Sequence, residues 1–501
     1  LESLREAQET TEVLETALPS ILIETDWKEV IKARKEDRQQ LAAVLLPYIK
    51  QRRWFGGKAR NVQRAVVKNL VRLPLRSNVT YICLVNIEYT EGEPETYVLP
   101  LGLADGAKAD SILQNSPKAA IAYLRFRGRK QTTESLLFDA LWDKDFTDAL
   151  LRSIMRRRAF KMDSSEIAPV ATEFLTEILP ASKALPEPSI PQLEQSNTSV
   201  VFGDRLIMKF FRRLESGINP DFEIGRYLSS RRFPNTPLLA GAVEYRTARE
   251  EGATLAILHQ YVRNEGDAWH FTLDALTRFF ERAMTEEMNE RLAPLTKQPI
   301  LAMAKSELPE EAIEFLGTYL ESARLLGQRT AELHLVLASP KDDPALESEP
   351  LTDLNRRAIY HYIAGQAEQK IQMLRERLKN MPDEVRVPAR KVIEKRKDLA
   401  KFARAILETR IEARRIRCHG DYHLGQVLYT GKDFIIIDFE GEPARLLAQR
   451  RIKHSPMRDV AGMIRSFHYA SYAPLYGETG NIRREDKTRL EPWARFWYCC
   501  T

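Results

Sequence analysis

The sequence predicts an α+β protein of two lobes, in which a mixed strand-and-helix half is followed by a mainly helical one. Apolar runs that alternate with period two, at 79–89, 97–101, 198–202 and 206–211, are concentrated before residue 262. Stretches with a 3.6-residue period dominate from 271 onward, near 310–337, 352–380 and 388–413. In that second half strands return only at 427–429 and 434–437, within the segment richest in chemistry-bearing side chains.

Length and composition bound the reading. A chain of 501 residues has room for two to four compact units at roughly 100–200 residues each. Hydrophobic residues at 44% and charged residues at 29% are globular proportions. No apolar run approaches the roughly 18 residues of a membrane helix, so a soluble protein without a membrane partner is expected. Seventy acidic residues nearly offset 76 basic ones, which argues against nucleic acid as a partner. The basic runs at 124–130 and 156–158 read as a solvated face or a domain seam. Cys83, Cys418, Cys499 and Cys500 form neither a metal-ligand pattern nor a disulfide framework, which fits a reducing cytoplasm. The start at Leu1 and the stop at Trp497-Tyr498-Cys499-Cys500-Thr501 suggest a fragment whose last lobe is truncated.

In chain order, residues 1–36 are acidic and polar around one apolar knot, Ile21-Leu22-Ile23, and read as a connector. A helix at 37–52 and the strands at 79–89 and 97–101, joined through Glu91-Gly92-Glu93, make a small mixed domain over 37–110. Apolar positions 136, 137, 140, 141, 146, 149, 150 and 154 fit helical spacing, so helices are expected over 135–161. The proline-rich segment 185–191 marks a boundary inside an intermediate region and first lobe assigned to 111–262. Next come the strands 198–202 and 206–211 about a Gly203-Asp204 hairpin turn, then a helix at 220–229. The helical lobe takes 263–501, and no internal repeat interrupts it.

The most informative segment is Cys418-His419-Gly420-Asp421-Tyr422-His423-Leu424-Gly425-Gln426, followed by two short strands and Asp438-Phe439-Glu440. If those strands pair about 430–433, Gln426 and Asp438 lie together at the open end of the hairpin and Asp421 sits in the loop leading into it. One carboxylate, one amide oxygen and a second carboxylate then converge, which suits phosphoryl transfer with Mg²⁺ and ATP. Asp438 would be the principal metal ligand, Gln426 the second, and Asp421 the acceptor of the hydroxyl proton. Such chemistry also needs a phosphate-covering loop, a lysine on the next strand and an acid on the next helix. Gln195-Ser196-Asn197-Thr198-Ser199, Lys209 and Glu223 stand in that order, with Glu215 and Asp221 competing for the last role and an exposed strand residue as the other reading of Lys209. His259-Gln260-Tyr261-Val262 reads either as a hinge offering Gln260 and Val262 to an adenine ring or as a plain core strand.

The spacing of Asp421 to Gln426 matches the catalytic Asp and metal-binding Asn of protein kinases and aminoglycoside phosphotransferases, and the His-Gly-Asp opening resembles the phosphotransferase branch. The loop before 198 lacks the glycines of a protein-kinase phosphate loop, so Ser and Asn side chains and backbone amides would have to cradle the nucleotide. Two further stretches are similar to the maltokinases. One is Gln51-Arg52-Arg53-Trp54-Phe55-Gly56-Gly57-Lys58-Ala59-Arg60, which looks like their N-terminal cap. The other runs from Asp438-Phe439-Glu440-Gly441-Glu442-Pro443 through Arg450-Arg451 to Arg458-Asp459-Val460-Ala461-Gly462-Met463. The resemblance spans roughly residues 40–501. It implies a protein-kinase-like fold of two lobes with an added N-terminal α+β cap and a mainly helical C-lobe. It also implies transfer of the γ-phosphoryl of ATP to the anomeric hydroxyl of maltose, giving maltose 1-phosphate for α-glucan (glycogen) synthesis. A trehalose synthase, fused or associated, is the implied partner.

For the sugar, carboxylates, arginines and aromatic faces are the expected contacts: Glu440, Glu442, Arg445, Tyr472 and Trp493, each also readable as packing or surface. His423 could reach the phosphates or lock its own loop by a hydrogen bond. Trp54-Phe55-Gly56-Gly57 reads as a buried aromatic anchor with a glycine turn, and Asp459 as a structural acid holding the backbone of the catalytic loop. The alternatives are a kinase of another hydroxylated acceptor, such as an aminoglycoside, and a non-catalytic kinase-like module.

Overall fold

The computed structural model describes residues 18–23, 35–75, 79–127, 132–162, 164–180, 184–191, 197–248, 251–284, 302, 305–341, 343–477 and 482–501. Among the described residues fourteen strands fall into two large sheets. The first holds β1 (Ser20–Ile23), β2 (Val62–Pro74), β3 (Val79–Tyr89), β4 (Glu95–Ala104), β5 (Ala120–Arg127) and β6 (Thr132–Asp139), in the order β1-β5-β6-β4-β3-β2. The second holds β7 (Phe160–Met162), β8 (Ser165–Ala171), β9 (Pro188–Ser189), β10 (Thr198–Phe202), β11 (Leu206–Phe210), β13 (Leu239–Thr247) and β14 (Ala253–Gln260), in the order β7-β8-β13-β14-β11-β10-β9. A two-residue strand, β12 (Arg213–Leu214), follows β11 of the second sheet and pairs with β4 of the first.

Side chains alternate across a strand, so β3 and β4 serve two cores at once. Ile82, Leu84 and Val98 pack with Val200, Phe202 and Met208 of the second sheet, whereas Cys83, Val85 and Leu99 pack with the helix Lys35–Lys50 and with Trp54 and Phe55. The two sheets therefore share a continuous core, and the Trp54-Phe55 anchor is buried as expected.

Four expectations need correction. The boundary at 110 falls inside the first sheet, which runs on to Asp139 because β5 and β6 complete it. Ile21-Leu22-Ile23 belongs to β1, paired in parallel with β5, and is no connector. Residues 132–139 are a strand, and the helix predicted there is confined to Lys144–Arg156. The proline-rich segment lies within the second sheet, since Pro188–Ser189 pairs with β10.

Beyond Gln260 the chain is helical around a third core that includes Phe279, Phe315, Trp493 and Trp497. Its helices include Ala268–Ala283, Tyr319–Leu337, Asp353–Arg377, Met457–Tyr476 and Arg484–Cys500. The stretch 310–337 is two helices, because Gly317 at φ +68° breaks it, and Pro388 lies inside a helix that starts at Asp383. β15 (Glu349–Pro350) pairs with β16 (Arg414–Arg415), and β17 (Val427–Tyr429) with β18 (Phe434–Ile436) in the register the sequence implied. No helix among the described residues is long and apolar enough to cross a membrane.

Candidate active site

The loop 418–426 is held from behind by one buried acid. Asp459, in the first turn of the Met457–Tyr476 helix, accepts the backbone N–H of His419 and of Gly420, each at 2.9 Å, and a hydrogen bond with His334 Nε2 at 3.0 Å. Burial works against its ionised form, but His334, His419 and the Gly420 N–H outweigh it and keep the carboxyl below the ordinary range. The structural role expected for Asp459 is the one it has. Gly420 sits at φ +86°, where a Cβ would meet the Gly441 Cα at 3.2 Å, so a glycine is required there. His419 hydrogen-bonds the Ile437 carbonyl at 2.9 Å, and the Leu424 N–H donates to Ser466. His423 accepts the Gly425 N–H at 3.1 Å, so its hydrogen bond locks the loop.

Across the hairpin the Ile437 N–H donates to the Gln426 carbonyl, and the Gln426 side chain hydrogen-bonds Asp438. Asp438 adopts φ +68°, a left-handed conformation that costs a non-glycine residue about 1–2 kcal/mol and that clusters at functional sites. Lys209 Nζ lies 2.5 Å from Asp438 Oδ1 and also ion-pairs with Glu440. Burial disfavours every charge here. Lys209 is nevertheless held above the usual lysine range by Asp438, Glu440 and Asp221, and Asp438 below the carboxylate range by Lys209, His419 and Gln426. Glu440 carries the cost: burial and the neighbouring Asp438 and Asp221 push it up to about 7 despite Lys209.

Three candidates are placed elsewhere than expected. Glu223 turns away from Lys209 and binds Arg417 at 2.5 Å and Arg451 at 2.7 Å. The acid facing Lys209 from that helix is Asp221, which also accepts the Phe439 N–H at 3.2 Å. Helical phase explains the exchange, because residues two apart point about 200° from each other. Glu440 accepts from Asn197 Nδ2 at 2.9 Å and pairs with Lys209, so it stands with those two residues and not with Glu442, Arg445 and Tyr472. Trp493 is buried between Phe279 and Phe315 and is likewise no sugar contact.

Two cavities open on this centre, and Gly425 lines both. One, of about 660 Å³, is lined by Asn197, Thr198, Ser199, Lys209, Gln260 and Val262, with Gln426 and Asp438 at its floor. Ser196 lies outside the described residues. The other, of about 980 Å³, is lined by Asp421, His423, Arg445 and Tyr472 among others. Three acids, Asp438, Glu440 and Asp221, bear on Lys209, and Arg450 stands 3.9 Å from Glu440, so carboxylate oxygens and cations crowd this point. Carboxylate and amide oxygens are the donor set that suits Mg²⁺.

Sequence reasoning missed most of the second cavity. Arg458, Arg465, Tyr469 and Tyr476 line it with Tyr472, all from the Met457–Tyr476 helix, and Trp269 and Tyr362 join from other elements. The spacing 458, 465, 469, 472, 476 puts these side chains on one helical face, a signal present in the sequence.

Comparison with known proteins agrees with this architecture. Residues 48–143 match the maltokinase N-terminal cap domain, and residues 317–441 match the phosphotransferase enzyme family. A glucosamine kinase of Mycolicibacterium smegmatis is 24% identical over 300 residues, which is 60% of this chain and 63% of that protein. A solved glucosamine kinase in complex with glucosamine, ADP and inorganic phosphate superposes with a TM-score of 0.52 at 16% identity, covering 95% of this chain and 86% of the other. A second crystal form of a glucosamine kinase gives 0.55 at 15% identity, with the same coverage. At such identities the likeness carries the fold, which is two-lobed and protein-kinase-like with an N-terminal cap.

Proposed function

We propose that this chain, a maltokinase-like kinase by its cap and its phosphotransferase-family domain, moves the γ-phosphoryl group of ATP to the anomeric hydroxyl of maltose. The observation that carries the reading is the meeting of the two cavities at Gly425, with Asp421 on one side and Lys209, Gln426 and Asp438 on the other. In this reading Gln260 and Val262 border the base, while Asn197, Thr198, Ser199 and Lys209 hold the phosphates. Asp438 and Gln426, with Glu440 beside them, would hold Mg²⁺, which when bound supplies charge neutralisation along the polyphosphate. Asp421 takes the hydroxyl proton as the acceptor oxygen bonds to phosphorus and the bond from phosphorus to the ADP oxygen breaks. The products are maltose 1-phosphate and ADP, and the protonated Asp421 returns its proton to water.

A second reading, glucosamine as acceptor, is favoured by the named relatives. Three arginines, Arg445, Arg458 and Arg465, and three carboxylates, Asp421, Glu442 and Asp459, line the acceptor cavity, so its charge is balanced and selects neither acceptor. The match to the maltokinase cap is what favours maltose. A reaction that isomerises trehalose would supply the substrate, and α-glucan synthesis would consume the product.

The test is ADP release from ATP and Mg²⁺ with maltose, glucosamine, trehalose, glucose and an aminoglycoside, using the parent chain, Asp421→Asn and Asp438→Asn. Maltose-dependent turnover that falls about 10²–10⁴-fold in both variants is the expected result. Turnover with glucosamine alone would transfer the chemistry to the second reading, and none with any acceptor would leave a non-catalytic module.

A further inference from the structure

A third cavity, of about 320 Å³, is lined by four cations, Arg415, Arg417, Arg451 and Lys453, and by the carboxylate of Glu349. It shares no lining residue with the two active-site cavities. Most of its charge is already engaged. Glu349 binds Arg415 and, at 2.7 Å, Lys453, while Glu223 binds Arg451 and the Nη1 atom of Arg417. The exception is the other edge of Arg417. Its side chain is 2% exposed, yet neither Nε nor Nη2 has a hydrogen-bond partner among the described residues.

Nε and Nη2 together form the side-on fork with which a guanidinium grips two oxygens of a carboxylate or phosphate. Leaving both donors unmet inside a protein is expensive. Nε of Arg415, on the same wall, is unmet as well. Glu251 and Asp343 bear on Arg451 from further out and do not satisfy the Arg417 fork.

We propose that this cavity is a phosphate-binding site, in which the Arg417 fork takes two oxygens and Arg415 and Lys453 close on the remainder. A dianion with oxygens in several directions matches cations converging from β16 and from the segment after the Leu447–Arg450 helix better than a planar carboxylate does. The position is consequential, because Arg417 precedes the catalytic loop by one residue and its Nη1 holds Glu223 on the helix that presents Asp221 to Lys209. A bound phosphate is thus one side chain from both halves of the active site. The phosphate could be free orthophosphate or the phosphoryl group of a sugar 1-phosphate.

Calorimetric titration of the full chain with orthophosphate and, separately, with maltose 1-phosphate tests this. The same titrations are repeated on Arg415→Gln, Lys453→Gln and Arg417→Lys, with Lys209→Ala to report on the nucleotide cleft. One equivalent is expected to bind, weakened about tenfold or more in each site variant, the loss of one charge-assisted contact, and unchanged in Lys209→Ala. The ligand that binds more tightly identifies the source. If Arg417→Lys fails to fold, the two rim variants carry the test alone. Absence of heat with both ligands, or binding that survives the site variants and disappears in Lys209→Ala, overturns the proposal.

Discussion

Glu440 illustrates how far a single residue can be read from sequence. Its neighbours fix the chemistry: Asp421, Gln426 and Asp438 stand at spacings that a short loop and hairpin must respect, so their convergence was legible. The partner of Lys209 was not, because Asp221, Glu223 and Glu440 all carry the right charge and only helical phase and the Asp438 turn decide among them. The raised Glu440 has a consequence for stability. Between its ordinary value of 4.5 and its folded value of about 7, the native state keeps a proton that the unfolded chain has released, so stability falls as pH rises through that window. Glu440→Gln removes this contribution. Thermal midpoints followed over that range should fall less steeply in the variant, and parallel slopes would mean that Lys209 neutralises Glu440 fully.

At the scale of elements, the contact between the Met457–Tyr476 helix and the catalytic loop is where packing becomes chemistry. Asp459→Ala leaves the His419 and Gly420 N–H groups buried without an acceptor, at about 1–3 kcal/mol each. Urea unfolding should report a loss of about 2–5 kcal/mol, accompanied by a fall in kcat; a parent-like unfolding midpoint would mean that water replaces the carboxylate. Gly462 meets the same loop three residues on, and a Cβ there would stand 2.7 Å from the Tyr422 carbonyl. Gly462→Ala should therefore push the helix off the loop, costing about 1–3 kcal/mol and lowering turnover. Equal activity and stability in that variant would show that the helix can shift freely. The β17–β18 hairpin was legible because its turn and two apolar runs are local. β6 was misread because it is buried on both faces: Leu136, Leu137 and Phe138 are all covered, which erases the period-two signal and lets the helix spacing that follows extend backward over it.

For the whole molecule, the joint between the first sheet and the kinase-like lobes is a charge pair that no local pattern announces. Arg212, just past β11, is 1% exposed and binds Asp139 at the end of β6 at 2.6 Å, while its Nε donates to Thr198 at 2.8 Å. Tyr48 donates to the same Asp139 at 3.3 Å, and Tyr48, Trp54 and Asp139 line the nucleotide-sized cavity itself. The first sheet therefore forms part of one wall of that cavity and, through Arg212, holds the residue that begins β10. Removing one partner of a buried pair is costly because the other charge is stranded, by about 3–5 kcal/mol. Asp139→Ala should destabilise by that order and raise the KM for ATP through the loosened Thr198, with a smaller change in the KM for the sugar. Pairing it with Arg212→Met removes the stranded charge and should recover much of the stability without recovering the KM for ATP, since Thr198 stays unanchored. Steady-state kinetics on the two variants decide the matter: equal shifts in both KM values would mean that the pair only holds the fold, whereas a shift confined to ATP assigns the first sheet a share in positioning the nucleotide.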